Sequence, residues 1–108
     1  MRKIFLVALL LSVPLAAAAK GNAESGKSKA AQICAACHGP DGNKPSAPDQ
    51  PILAGQHYDY LVRALTDYKI GRRNNPIMKG FAGQLSKQDI EDLAAWFSSQ
   101  KSSLKEQR

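Results

Sequence analysis

The chain has 108 residues, 44% of them apolar, and a formal net charge of +6. That length suits one small domain and excludes two of ordinary size. Fifteen of the 47 apolar residues fall in the first 19 positions, and 11 of the remaining 32 are alanine. Too few large side chains are left for a self-sufficient core, so a metal, a disulfide or a cofactor is expected to fill the middle.

The N-terminus accounts for the skew. Arg2 and Lys3 precede an uninterrupted apolar run from Ile4 to Leu11, Pro14 breaks it, and Ala16 to Ala19 are small enough for signal peptidase. Residues 1–19 therefore read as a secretory signal cut after Ala19, because Ile4 to Ala19 is shorter than the roughly 20 residues of a spanning helix. No later segment could span a bilayer. Residues 20–108 carry 13 Lys and Arg against 9 Asp and Glu, a net +4. So mild a balance, with no basic stripe interleaved with aromatics, argues against a nucleic-acid partner.

From residue 20 onward the pattern is helix, loop, helix, loop, helix, with no strand alternation and no internal repeat, so the fold class is all-α. The first helix is expected over Glu24 to Ala36, stopping near Gly39-Pro40. A long loop broken by Pro45, Pro48 and Pro51 follows, of the kind that wraps something functional. The second helix runs from His57 to Ile70, with Tyr58, Leu61, Val62 and Leu65 as an apolar stripe expected in the core and Gly71 as its cap. The third opens at Ser86-Lys87-Gln88-Asp89, a capping pattern, and continues through Ile90, Leu93, Ala94 and Phe97. The domain core spans 24–99, and the polar tail 100–108 is expected to fray.

The chemistry sits in Cys34-Ala35-Ala36-Cys37-His38, which holds the only two cysteines. On one helical turn the two thiols share an edge, so each can add to a vinyl group of a haem, and His38 can reach the iron from the same side. A disulfide or redox pair would also suit an oxidising compartment, but it expects a preceding strand that the pattern lacks. A zinc site built from Cys34, Cys37, His38 and His57 is disfavoured, since adjacent Cys37 and His38 can hardly take two corners of one tetrahedron. Beyond the signal, Met78 is the only methionine. It stands in Asn74-Asn75-Pro76-Ile77-Met78, read as a loop between the second and third helices, and is the candidate for the second axial position. His57 is its rival.

The chain resembles the class I c-type cytochromes of the small bacterial kind, cytochrome c553 and single domains of cytochrome c4. The resemblance rests on Cys34 to Gly39, on Pro51-Ile52-Leu53-Ala54-Gly55-Gln56, on Gly71 to Met78, and on Leu85 to Ile90 leading to Leu93-Ala94-Ala95-Trp96. It implies a fold of three main helices and long loops around one covalently bound haem c, with Gly26 and Ala30 of the first helix meeting Leu93 and Trp96 of the third. It further implies thioethers at Cys34 and Cys37, iron ligation by His38 and Met78, and a hydrogen bond from the His38 ring to the carbonyl of Pro51. Arg73 would pair a haem propionate and Asn75 would brace the Met78 segment, with Tyr60, Tyr68 and Trp96 packed around the porphyrin. The expected function is that of a periplasmic, non-enzymatic electron carrier cycling between Fe(III) and Fe(II). Its partners would be redox proteins, membrane respiratory complexes among them. A haem subunit of a larger oxidoreductase, or a haem enzyme or sensor with a displaceable ligand, are the other classes to separate.

Overall fold

The computed structural model describes residues 2–5, 7–9 and 21–104. Ile4, Phe5, Val7 and Leu9 of the apolar N-terminal run are 78–85% exposed and take no part in the core. The segment Ala16 to Ala19, where cleavage is expected, lies outside the described residues.

Five helices follow in order: α1 (Ala23–Ile33), α2 (Ala35–His38), α3 (Tyr58–Ile70), α4 (Pro76–Ala82) and α5 (Lys87–Ser98), with no strand among the described residues. α1, α3 and α5 are the three long helices of the sequence reading. Three of the helix ends have a local cause. Asn22 caps α1 by accepting the Ser25 N–H. Ser86 and Asp89 close a reciprocal capping box on α5. Gly71, left-handed at φ 86°, ends α3 as its glycine cap.

α1 and α5 cross at close contact. A Cβ built on Gly26 would lie 2.0 Å from the carbonyl oxygen of Asp92 and 2.9 Å from Cβ of Trp96, so only glycine lets the backbones approach this far. Asp92, itself buried, accepts the Asn22 N–H at 2.7 Å and the Gln88 side-chain amide at 2.8 Å, tying the start of α1 to the middle of α5. The buried core is small: Ala30, Leu61, Ala82, Leu85, Ile90, Leu93, Ala94 and Phe97.

Three expectations need correction. The first helix does not run on to Ala36, because Cys34 (φ −107°, ψ −33°) ends α1 and its carbonyl starts α2 by accepting from both Cys37 and His38. Met78 lies in a helix rather than a loop: Asn75 accepts the N–H groups of Ile77 and Met78 and Pro76 stands in the first turn, where its missing N–H costs nothing. The start of the tail is held rather than frayed, since Asn43 binds the backbone of both Lys101 and Ser103.

Candidate functional site

A cavity of about 260 Å³ lies between α3, α4, α5 and the loop around Pro51. One wall is α3, where Leu61, Leu65 and Tyr68 recur at helical spacing. The stripe expected in the core is thus shared between core and cavity: Leu61 is buried, while Tyr58, Val62 and Leu65 are only partly so. Leu93 and Phe97 of α5 and Ile52 and Leu53 of the loop complete an apolar lining. At its rim stand Asp49, Gln50, Gln56, Tyr60, Arg73 and Asn75.

His38, Cys34 and Met78 all line this cavity. His38 is 7% exposed and its Nδ1 lies 2.9 Å from the carbonyl oxygen of Pro51. A carbonyl can only accept, so Nδ1 carries the proton and donates, and the lone pair of the neutral ring is left on Nε2. That arrangement fixes the ring and makes Nε2 a better metal donor. α2 sets the position of the imidazole: its single turn brings His38, four residues after Cys34, back over Cys34 through a 3.0 Å N–H to carbonyl bond.

Met78 comes from α4, so its place depends on the Asn75 cap, whose side-chain oxygen accepts from Ile77 and Met78 at 3.1 Å each. Arg73 donates through Nη1 to the Tyr60 hydroxyl at 3.4 Å, and its guanidinium lies 4.7 Å from the centroid of Tyr68. These contacts hold the cation over aromatic surface at the cavity rim. Trp96 does not line the cavity. Its indole N–H donates to the Pro40 carbonyl at 3.0 Å, with Lys27 over the ring, so it packs α5 on the loop after α2 instead of around a porphyrin.

The rival readings fare less well. His57 is exposed, precedes α3 and is absent from the cavity wall. No group of three or more His, Cys, Asp or Glu side chains able to hold a metal ion occurs among the described residues. Burial, reinforced by Cys37, pushes the Cys34 thiol up to about 11. A redox-active Cys-x-x-Cys pair needs a shift in the other direction.

Sequence reasoning placed Tyr60, Arg73 and Asn75 near the group but missed Asp49, Gln50 and Gln56, which reach the cavity from a loop whose course no periodicity encodes. The donor set suits one kind of group. A buried neutral imidazole, a thioether sulfur, a thiol of the Cys-x-x-Cys-His turn and a large apolar wall fit a flat apolar metal macrocycle better than a hydrated ion.

An all-helical chain with those groups around one cavity is of the covalent haem-binding class. Comparison with known proteins makes the class specific: the family model for cytochrome c matches residues 23–101, and the chain belongs to the cytochrome c family. Membership implies covalently bound haem c with iron. The chain is 50% identical over 101 residues to cytochrome c4 of Pseudomonas aeruginosa, covering 92% of this chain and 49% of that protein. It is 42% identical over 83 residues to cytochrome c-554(548) of Halomonas halodenitrificans, covering 74% of this chain and 98% of that one. Among solved structures, reduced recombinant cytochrome c4 from Pseudomonas stutzeri superposes with a TM-score of 0.71 at 47% identity, over 78% of this chain and 48% of the other. The fold is the cytochrome c fold, and the chain spans about half the length of the cytochrome c4 relatives it matches.

Proposed function

We propose that this chain is a periplasmic carrier of single electrons, exported by a signal over residues 1–19 and working as one haem domain over residues 20–108. Cys34 and Cys37 would hold the haem through thioethers, and His38 and Met78 would bind its iron. When bound, the group supplies one-electron chemistry at iron, between the ferric and ferrous states. The residues of the chain do the rest. His38 donates Nε2 because Nδ1 is committed to Pro51. Met78 provides a thioether sulfur that favours the ferrous state more than a second imidazole would. Leu61, Leu65, Leu93 and Phe97 keep water from that region, and Arg73 offers a positive charge for a propionate at the rim.

The observation that carries this reading is the Pro51-tethered His38 in the same cavity as Met78 and Cys34. His38 and Met78 would both be engaged in holding the iron, which supports an electron carrier over an enzyme that binds its substrate at the metal. Its partners are redox proteins, including membrane respiratory complexes. No helix among the described residues is long and apolar enough to cross a membrane.

Anaerobic titration of the purified protein is expected to show a reversible one-electron transition with one haem per chain, and the ferrous form is expected to bind no carbon monoxide. Stoichiometric carbon monoxide binding by the native protein would replace the carrier by a ligand-binding enzyme or sensor. The half-length relation to cytochrome c4 favours one second reading, a haem domain that works beside another domain or subunit. Recovery from the periplasm as a free particle of this chain's own mass would decide against it.

A further inference from the structure

Away from the cavity, one polar cluster joins two separated stretches of the chain. The side-chain amide of Asn43 donates through Nδ2 to Asp41 Oδ2 at 2.9 Å and to the carbonyl of Lys101 at 2.9 Å. Its Oδ1 accepts the N–H of Ser103 at 2.7 Å, and its own N–H donates to Asp41 Oδ1 at 3.0 Å. Both amide hydrogens and the oxygen are therefore in use, a set that a hydroxyl side chain with its single hydrogen could not supply.

The same loop grips the iron-binding side of the cavity from behind. The N–H of Lys44, next in sequence, donates to the backbone carbonyl of His38 at 3.1 Å. The carbonyl of Gly42, just before, accepts from Leu53 at 2.8 Å and from Ala54 at 3.3 Å. Gly42 has φ 83°, and a Cβ there would lie 2.9 Å from the Ala54 nitrogen and 2.8 Å from Phe97 Cδ1, so the loop lies directly against the segment that follows Pro51. The far end of that segment is fixed by Gly55, whose N–H donates to the carbonyl of Phe97 at 2.9 Å. Residues 101–103 continue from that end of α5. Segment 51–55 is thus held between the 42–44 loop and the chain leaving α5, and Asn43 bonds those two holders to each other.

We infer that Asn43 is a positioning residue for His38: by fastening the 101–103 segment to the loop after α2, it keeps the Pro51 carbonyl on His38 Nδ1. This rests on the assignment of His38 as an iron ligand. A well-held Nδ1–H to carbonyl bond makes the imidazole a stronger donor and favours ferric iron. Loosening the clamp weakens that bond and moves the balance toward ferrous.

The test uses full-length holoprotein carrying Asn43→Ala, and separately Ser103→Pro, which deletes the N–H that Asn43 accepts and leaves the loop untouched. Each variant is expected to raise the ferrous-to-ferric ratio at a fixed applied potential by about threefold, the scale of a weakened rather than a lost hydrogen bond. The ring N–H of His38 should also exchange with solvent faster in each. Because both changes act on one clamp, the double variant should shift no further than the larger single one. Unchanged ratio and exchange in Ser103→Pro would overturn the inference, even where Asn43→Ala shifts or fails to mature. Additive shifts would overturn it as well. Wild-type protein in which His38 does not ligate iron would instead sink the assignment beneath it, and the ferric spectrum of the wild type reports that independently.

Discussion

Four side chains would carry the proposed chemistry, and two of them depend on a neighbour. His38 would serve as an iron ligand because Pro51 takes its other nitrogen, and Met78 is placed because Asn75 starts the helix that carries it. A thioether on low-spin ferric iron gives a weak near-infrared charge-transfer band. Met78→Ala should abolish that band, let the ferrous protein bind carbon monoxide and lower the potential. His57→Ala should leave all three unchanged, since His57 is exposed and lies off the cavity wall. Survival of the band in Met78→Ala would reject the sulfur ligand. Cys34, Cys37, His38 and Met78 stand out as candidates from type and spacing, because few residue sets combine two thiols, an adjacent imidazole and a single remaining methionine; three of them, Cys34, His38 and Met78, line the cavity. Asn43 was not, since its partners stand 58 and 60 positions away, and nothing local marks a polar residue as a long-range clamp.

The long helices were readable where their termini are chemically marked. Ser86 with Asp89 and the glycine at 71 gave the start of α5 and the end of α3 within a residue. α4 was missed although it carries the same kind of mark. Asn75 and Pro76 suit the cap and the first turn of a helix as well as they suit a loop, and a seven-residue helix shows too little periodicity to decide. The break at Cys34 has no sequence signal, for alanine and cysteine continue a helix readily; hydrogen bonding of Cys37 and His38 to one carbonyl makes the turn. The capping box on α5 yields a pH-dependent prediction. The N–H of Ser86, chiefly, holds the Asp89 carboxyl below its ordinary value. A carboxyl depressed in the folded state stabilises the fold above its unfolded pKa, and that contribution fades as pH falls through the folded value. Asp89→Asn should therefore unfold at a lower temperature than wild type at pH 7, with the gap closing below about pH 4. A gap that does not change with pH would mean that the carboxylate charge plays no part in the cap.

For the whole molecule the question is how such a carrier meets its partners. A net charge of +4 over residues 20–108 falls toward +2 once two propionates are counted. Arg73 lies at the cavity rim, Lys79 belongs to the helix that carries Met78, and Arg72 and Lys44 are exposed in the adjoining loops. A positive local field around the cavity mouth should draw an acidic partner, screened over a Debye length of roughly 8 Å at physiological ionic strength. Electron exchange with the native partner is expected to slow as salt rises, and charge reversal at Arg72 or Lys79 should flatten that dependence while leaving the spectrum in place. A rate that is indifferent to salt, or that rises with it, would make docking apolar and leave these cations as solvated surface.

Everything above depends on a haem held by Cys34 and Cys37, and the mass of the denatured protein tests that most directly. After acid-acetone extraction, the intact mass should equal residues 20–108 plus one haem, with the colour retained by the protein. A mass equal to the bare polypeptide, or one lowered by the two hydrogens of a Cys34–Cys37 disulfide, would contradict the account.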